Sequence, residues 1–203
     1  MLVVIDYDAG NLYNVGHALR HLGVAYRMSG DRRLIEEARA IILPGVGSAR
    51  AAMNSLQRQG LVEVLRRVEV PFLGICLGMQ LLFEFSDEDD VPCLGLLPGR
   101  VHRFDRDRVK VPHMGWNLVR WAGGAALAPW LRDYPEEAYF YFVHSYFAPI
   151  DERFTVATCE YDVPFSAAVG RDNFFGVQFH PERSGEQGLL LLRRFAEWAG
   201  VSS

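Results

Sequence analysis

Lysine is almost missing from this chain of 203 residues: Lys110 stands alone, and every other basic side chain apart from the histidines is an arginine. Acidic residues outnumber basic ones, 25 to 21, for a formal net charge of −4, so the chain lacks the basic excess that a general grip on nucleic acid requires. Cysteine is scarce too. Cys76, Cys93 and Cys159 form no even framework of bridges, and a reducing, cytoplasmic compartment is the simpler reading. No apolar run approaches the length of a membrane span, and the opening MLVVIDYD carries acids where a targeting leader carries basic residues. Repeats, low-complexity tracts and linkers are absent, so one domain over residues 1–203 is expected, long enough to bury a real core. PGVGSA (residues 44–49) lacks the lysine of a phosphate-binding loop, and no metal-ligand spacing is present. Neither metal nor cofactor is expected.

What is present alternates. LVVID (2–6) reads as a buried strand, and Leu12, Val15, Leu19 and Leu22 recur at helical spacing over 11–22. VAYRM and residues 40–43 read as further strands, the second stopped by Pro44 and Gly45. Residues 49–56 and 61–68 read as helices parted by Gly60. Strand–helix alternation of this kind argues a parallel sheet covered on both faces. After Asp87 come short strands, RVHRF, YFYFVHSYF, TVATCEY and FSAAVG, expected as antiparallel additions to the same sheet. An amphipathic helix over 185–198 closes the chain. The expectation is an α/β fold: an open, mostly parallel mixed sheet with helices on both faces and the active site at the C-terminal ends of its strands.

Two short segments carry the chemistry. Gly74-Ile75-Cys76-Leu77-Gly78 follows the apolar VPFL and precedes MQLLFEF, which suits a buried helix. That is the pattern of a nucleophile elbow, in which one reactive side chain sits on a tight strand-to-helix turn and glycines on either side prevent a clash. The start of a helix also makes a cysteine a better nucleophile. Near the C-terminus, GVQFHPE (176–182) runs an apolar strand into His180-Pro181-Glu182. A cysteine nucleophile needs a base, and the base needs an orienting group. An extended backbone would point His180 and Glu182 the same way, with Pro181 stiffening the turn.

GICLGMQ followed by GVQFHPE resembles the triad-type, class I glutamine amidotransferases, which hydrolyse glutamine and hand ammonia to a synthase. The resemblance spans nearly the whole chain. It implies Cys76 as nucleophile, His180 as general base and then acid, and Glu182 as the group that orients His180. One oxyanion donor should be the N–H of Leu77, directly after the nucleophile. The other should come from the glycine-rich turn of LPGVGSA, with Gly45, Val46 and Gly47 as candidates, since glycine lets backbone approach a ligand closely. Gln80, one helical turn beyond Cys76, should face the substrate. His144, Ser145 and Tyr146 should supply polar groups for the carboxylate of L-glutamine, and Glu88 matches a family position that receives its ammonium.

DYDAGNLYNV (6–15), KVPHMGWN (110–117), YFVHSY and HPERS resemble one branch of that family, the glutaminase subunits of imidazole glycerol phosphate synthases. The branch implies a partner, a separate barrel-shaped cyclase subunit that makes imidazole glycerol phosphate and AICAR in histidine biosynthesis. Asn11, Asn14, Lys110, Met114, Trp116 and Arg183 would edge the docking face, Trp116 being the large anchor that interfaces favour. Arg183 departs from the branch, which usually has lysine there; a planar fork replaces a compact charge. Three alternatives stay open: a glutaminase subunit serving another synthase, such as pyridoxal phosphate synthase, a stand-alone γ-glutamyl hydrolase, or a non-enzymatic binding subunit.

Overall fold

Residues 1–8, 11–121 and 128–201 are described by a computed structural model. The first half alternates as its periodicity demands: β1 (Leu2–Ile5), α1 (Leu12–His21), β2 (Tyr26–Ser29), α2 (Arg32–Glu36), β3 (Ala40–Gly45), α3 (Ala49–Arg58), α4 (Val62–Arg66), β4 (Phe72–Cys76) and α5 (Leu77–Gln80). The second half is mostly strand: β5 (Phe83–Ser86), β6 (Val91–Pro92), β7 (Leu97–Arg103), β8 (His113–Trp121), β9 (Glu137–His144), β10 (Tyr146–Phe147), β11 (Thr155–Tyr161), β12 (Val163–Arg171) and β13 (Phe174–Val177), before α6 (Gly185–Trp198).

Among the described residues the main sheet has nine strands, in the order β2-β1-β3-β4-β13-β12-β11-β8-β9. From β2 to β13 every pairing is parallel, and from β13 to β9 every pairing is antiparallel. Strands buried on both faces must be apolar at every position, and β1, β3 and β4 are buried throughout. Alternation then deals their side chains to two cores. Leu2, Val4, Ile42, Leu73 and Ile75 pack on one face, and Val3, Ile5, Ile41, Leu43 and Phe72 on the other. The helices cover these faces and carry their own start signals. Asp31 accepts from the N–H groups of Arg33 and Leu34 to begin α2, and Ser48 accepts from Ala51 to begin α3.

The register of two central strands positions the chemistry. β4 and β13 run parallel with Ile75 opposite Val177. The next residues, Cys76 and Gln178, therefore emerge side by side at the same edge of the sheet, and His180 follows two residues on.

Several expectations are corrected. The helix after the elbow is a single turn, Leu77–Gln80, and Phe83–Ser86 is a strand rather than its continuation. Phe83 is buried while Glu84 and Phe85 face out, which suits a short strand opening a second sheet. That four-stranded sheet, β10-β7-β5-β6, also takes RVHRF and the end of YFYFVHSYF, so not all the late strands extend the main sheet. The strand beginning at Ala40 runs on through Pro44 to Gly45, because β3 still pairs with β4 there. Helix α2 and strand β8 were not anticipated; α2 has only five residues, too few for periodicity to register.

Candidate active site

Cys76 ends β4 with φ 54° and ψ −109°, a backbone conformation that L-residues rarely hold. The flanking glycines explain how it is tolerated. A Cβ at Gly74 would lie 2.5 Å from the carbonyl oxygen of Gly78, and one at Gly78 would run into the backbone oxygen of Leu43. The elbow read from the sequence is present. Its helix is one turn long and contributes little dipole at the sulfur, so the neighbouring side chains do more of the electrostatic work.

His180 is the main one. It sits at the start of a turn of 3-10 helix, Pro181–Arg183, so the approach of His180 to Glu182 comes from a tight turn and not from an extended stretch. Its Nδ1 lies 2.8 Å from Oε1 of Glu182, with the two side chains 2% and 0% exposed. The ionised carboxylate only accepts, so Nδ1 carries the proton and Nε2 is left for Cys76. Burial pulls the basicity of His180 down, but the hydrogen-bonding and charge of Cys76 and Glu182 outweigh it and raise the imidazole to about 10. Nε2 has no geometrically formed hydrogen bond among the described residues. His180 and Cys76 line the same cavity, and catalytic hydrogen bonds commonly tighten only once substrate is bound.

The turn itself is pinned to the edge strand β9. His180 donates its N–H to the carbonyl of Tyr141 (2.9 Å), Ser184 Oγ accepts from the N–H of Tyr141 (3.0 Å), and the same hydroxyl donates to the carbonyl of His180 (2.6 Å). Ser184 was not anticipated; the only sequence signal is its place beside HPER.

A cavity of about 370 Å³ opens over the sulfur, lined by Val46, Gly47, Cys76, Leu77, Gln80, Glu88, Pro112, Val143, His144, Ser145, Tyr146 and His180. That volume suits an amino acid rather than a macromolecule. Most of the residues expected to bind substrate meet here. Glu88 is held by the backbone N–H of Ala49 at 2.7 Å, and burial raises its carboxyl despite that bond. Gly47, at φ 95° with open space where a Cβ would stand, is a genuine glycine position. Gly45 plays another part. It lies opposite Cys76 in the sheet, and a Cβ there would stand 2.8 Å from that of Leu77, so it lets β3 pack under the elbow rather than lining the cavity. Gln80 is 4% exposed and spends its amide inside the protein, donating to the carbonyl of Tyr146 and to Oε1 of Gln178, each at 3.0 Å.

His144 belongs to a buried pair that sequence reasoning missed. Its Nδ1 lies 2.8 Å from the carbonyl of Tyr146, so that nitrogen carries the proton and Nε2 must accept. His113 Nδ1, 2.9 Å away, is then the donor, and His113 Nε2 accepts from Asn117 at 3.2 Å. Both rings are neutral: burial pushes His113 down to about 4 and His144 to about 3. A 31-residue gap hides the pair in the sequence; only the β8–β9 register, with His113 opposite His144, reveals it.

The residues expected at a docking face divide. Met114 and Trp116 are 61% and 56% exposed on β8, and β9 adds Tyr139 at 60% on the same face. The guanidinium of Arg183 stacks 4.3 Å from the ring of Tyr141, which itself meets Trp116 edge to face. Lys110 is exposed, and Asn14 is half-buried on α1. Asn11 turns inward and donates to Glu182 Oε1 at 3.1 Å, so it contacts the carboxylate that holds His180. Ala9 and Gly10 of the same motif lie outside the described residues. No group of three potential ligands for a metal ion occurs among the described residues, and no helix there is long and apolar enough to cross a membrane.

Comparison with known proteins gives a consistent picture. The family model for class-I glutamine amidotransferases matches residues 3–198. The imidazole glycerol phosphate synthase subunit HisH of Xylella fastidiosa (strain Temecula1) is 50% identical, over 97% of this chain and 96% of that protein. Subunit HisH of Geobacillus thermodenitrificans is 49% identical over 96% and 94%, and subunit HisH 2 of Legionella pneumophila (strain Paris) is 46% identical over 96% of each. Among solved structures, one described as a glutamine amidotransferase aligns over 98% of this chain and 99% of its own, with a TM-score of 0.75 at 20% identity. The glutaminase domain of Trypanosoma brucei CTPS with bound acivicin aligns over 97% and 93%, with a TM-score of 0.67 at 18% identity. At those identities the two structures speak for the fold alone.

Proposed function

We infer the function of this chain from its family, for it belongs to the class-I glutamine amidotransferases, and propose that it is the glutaminase subunit of an imidazole glycerol phosphate synthase, acting in histidine biosynthesis. The observation that carries the reading is the His180 imidazole, held by Glu182 and lining with Cys76 one amino-acid-sized cavity. Relatives that share about half the sequence bear the name of that subunit.

In this reading the Cys76 sulfur, as thiolate, attacks the side-chain amide carbon of L-glutamine. The carbonyl oxygen takes up the charge, stabilised by the N–H of Leu77 and by an N–H from the Val46–Gly47 turn. Imidazolium His180 gives its proton to the departing nitrogen as the carbon–nitrogen bond breaks, so ammonia leaves and a γ-glutamyl thioester remains. Water then attacks the thioester carbon and loses a proton to neutral His180, and the carbon–sulfur bond breaks to release glutamate and restore the thiolate. Glu182 keeps the ring in one tautomer throughout. Glu88 receives the ammonium of the substrate, and the 144–146 segment its carboxylate. No cofactor takes part.

The ammonia passes to a separate cyclase subunit, the partner we propose for the face formed by Met114, Trp116, Tyr139 and Arg183. The cytoplasm, which keeps Cys76, Cys93 and Cys159 as free thiols, is the compartment this chemistry fits.

The test is glutamate release from L-glutamine with the cyclase present. Cys76→Ala should abolish it and His180→Ala should lower it by about 10²–10⁴-fold. Near-normal release by Cys76→Ala would refute the reading.

A further inference from the structure

Gln178 is fully buried beside the nucleophile and is used by nothing in the mechanism above. Its Nε2 lies 3.7 Å from the Cys76 sulfur. A glutamine amide can be turned either way, so the question is whether nitrogen or oxygen faces the sulfur. A chain of obligatory roles answers it. The carbonyl of Tyr146 can only accept, and it lies 3.0 Å from the end of the Gln80 side chain, which must therefore be the NH₂. That same NH₂ lies 3.0 Å from one end of the Gln178 amide, which must accept and so must be the oxygen. The other end of Gln178, aimed at Cys76, is then its NH₂. The Tyr146 carbonyl is itself fixed by a second donor, Nδ1 of His144, at 2.8 Å.

We propose that Gln178 is a further catalytic group of this site: its side-chain N–H donates to the Cys76 sulfur, aimed by Gln80, and stabilises the nucleophile in its charged form. Gln80 is then a positioning residue. The donor suits the geometry, because the helix after Cys76 is one turn long and leaves a side-chain N–H as the donor within reach of the sulfur. A thiolate that leaves and returns once per turnover needs a donor that does not itself move a proton, and an amide meets that requirement. The register explains why the position is glutamine: the residue after Val177 in β13 is the one that stands level with Cys76.

This inference rests on Cys76 being the nucleophile, and the test separates the two. The full chain is treated with iodoacetamide across a pH series, and alkylation of Cys76 is followed by mass spectrometry of the digested protein. Gln178→Met keeps length and loses the donor. Its alkylation profile should move to higher pH by about one unit, and glutamate release should fall roughly tenfold with KM little changed. Gln178→Glu keeps the shape and places a carboxylate at the sulfur, and should move the profile further in the same direction. If Gln178→Met does not fold, as judged by circular dichroism, Gln178→Glu and Gln80→Met decide; the latter frees the Gln178 amide to turn and should give a smaller shift of the same sign. Folded variants whose profiles coincide with that of the parent chain overturn the proposal. An unreactive Cys76 and no glutaminase activity in the parent chain would instead sink the nucleophile reading on which it rests.

Discussion

The side-chain amide of Asn11 donates to Oε1 of Glu182, the same carboxylate oxygen that takes the proton-bearing Nδ1 of His180. Two donors share this oxygen, one at the start of α1 and one at the residue that opens the Pro181–Arg183 turn. In the mechanism proposed above, that makes Asn11 a positioning residue for Glu182. Asn11→Ala should lower glutamate release by roughly tenfold, the worth of one hydrogen bond to a charged group, with KM for glutamine unchanged. Measuring the assembled enzyme at saturating partner separates this from weakened docking; full activity there would show that the bond is idle.

The three thiols should differ sharply in reactivity. Burial pushes the Cys93 and Cys159 thiols up to about 12, and neither lines the cavity. Limited iodoacetamide should therefore label Cys76 and abolish glutaminase activity in step. Cys93→Ala and Cys159→Ala should each keep turnover within a few-fold while costing about 1–3 kcal/mol of stability from the small cavities they leave. Loss of activity tracking the labelling of Cys93 or Cys159 would contradict this.

Much of this was legible in the sequence. The elbow could be read from Gly74, Cys76 and Gly78 because a strained φ at the middle residue demands space at both neighbours. The parallel half of the sheet could be read because strands buried on both faces leave unbroken apolar runs such as LVVI and AIIL. The second sheet could not, since Phe83 and Phe85 look equally at home in a helix until the chain after Gln80 is seen to turn. The contacts of Asn11, expected only at the docking face, with Glu182 and of Gln178 with Cys76 were missed for a common reason. Each contact spans more than 100 residues of chain, and nothing local marks an amide as pointing inward. The His113–His144 pair depends likewise on a strand register that no single segment encodes.

Stability should peak near neutrality. His113 and His144 are held neutral in the fold, down to about 4 and about 3, whereas an unfolded chain protonates them near 6.5. Between those values the unfolded state binds more protons, so stability falls as pH drops from about 6.5 toward 4, by up to about 1.4 kcal/mol per pH unit for each ring. His180 acts in the opposite sense. Its imidazole is raised to about 10 in the fold, so its contribution is full below about 6.5 and is lost as pH rises toward 10. The urea midpoint measured from about pH 4.5 to 9.5 should rise to a maximum near pH 6.5–7 and decline on both sides. A midpoint that does not fall between pH 6.5 and 4.5 would contradict the neutral, buried pair.

The exposed face of β8 and β9 should matter to assembly and not to chemistry. Trp116 is 56% exposed on that face and does not line the cavity over Cys76. Trp116→Ala should weaken binding of the cyclase subunit by about 1–3 kcal/mol, the range of an aromatic anchor, while leaving alkylation of Cys76 in the isolated chain unchanged. Titration calorimetry against the cyclase gives the first value. Unchanged affinity would exclude this face as the docking site.

The central claim is that a glutaminase built from Cys76, His180 and Glu182 serves a partner and is governed by it. The lever proposed is the turn at Val46 and Gly47, where an N–H can complete the oxyanion hole in one orientation only. One such donor is worth about 3–4 kcal/mol in the transition state, or roughly 10²–10³ in rate. The most direct measurement is glutamate release by the isolated chain, then with the cyclase subunit, then with the cyclase and its nucleotide substrate. The account predicts slow release alone and a rise of roughly 10²-fold or more in the loaded complex. Equal rates in all three conditions would contradict it and favour a hydrolase that acts alone.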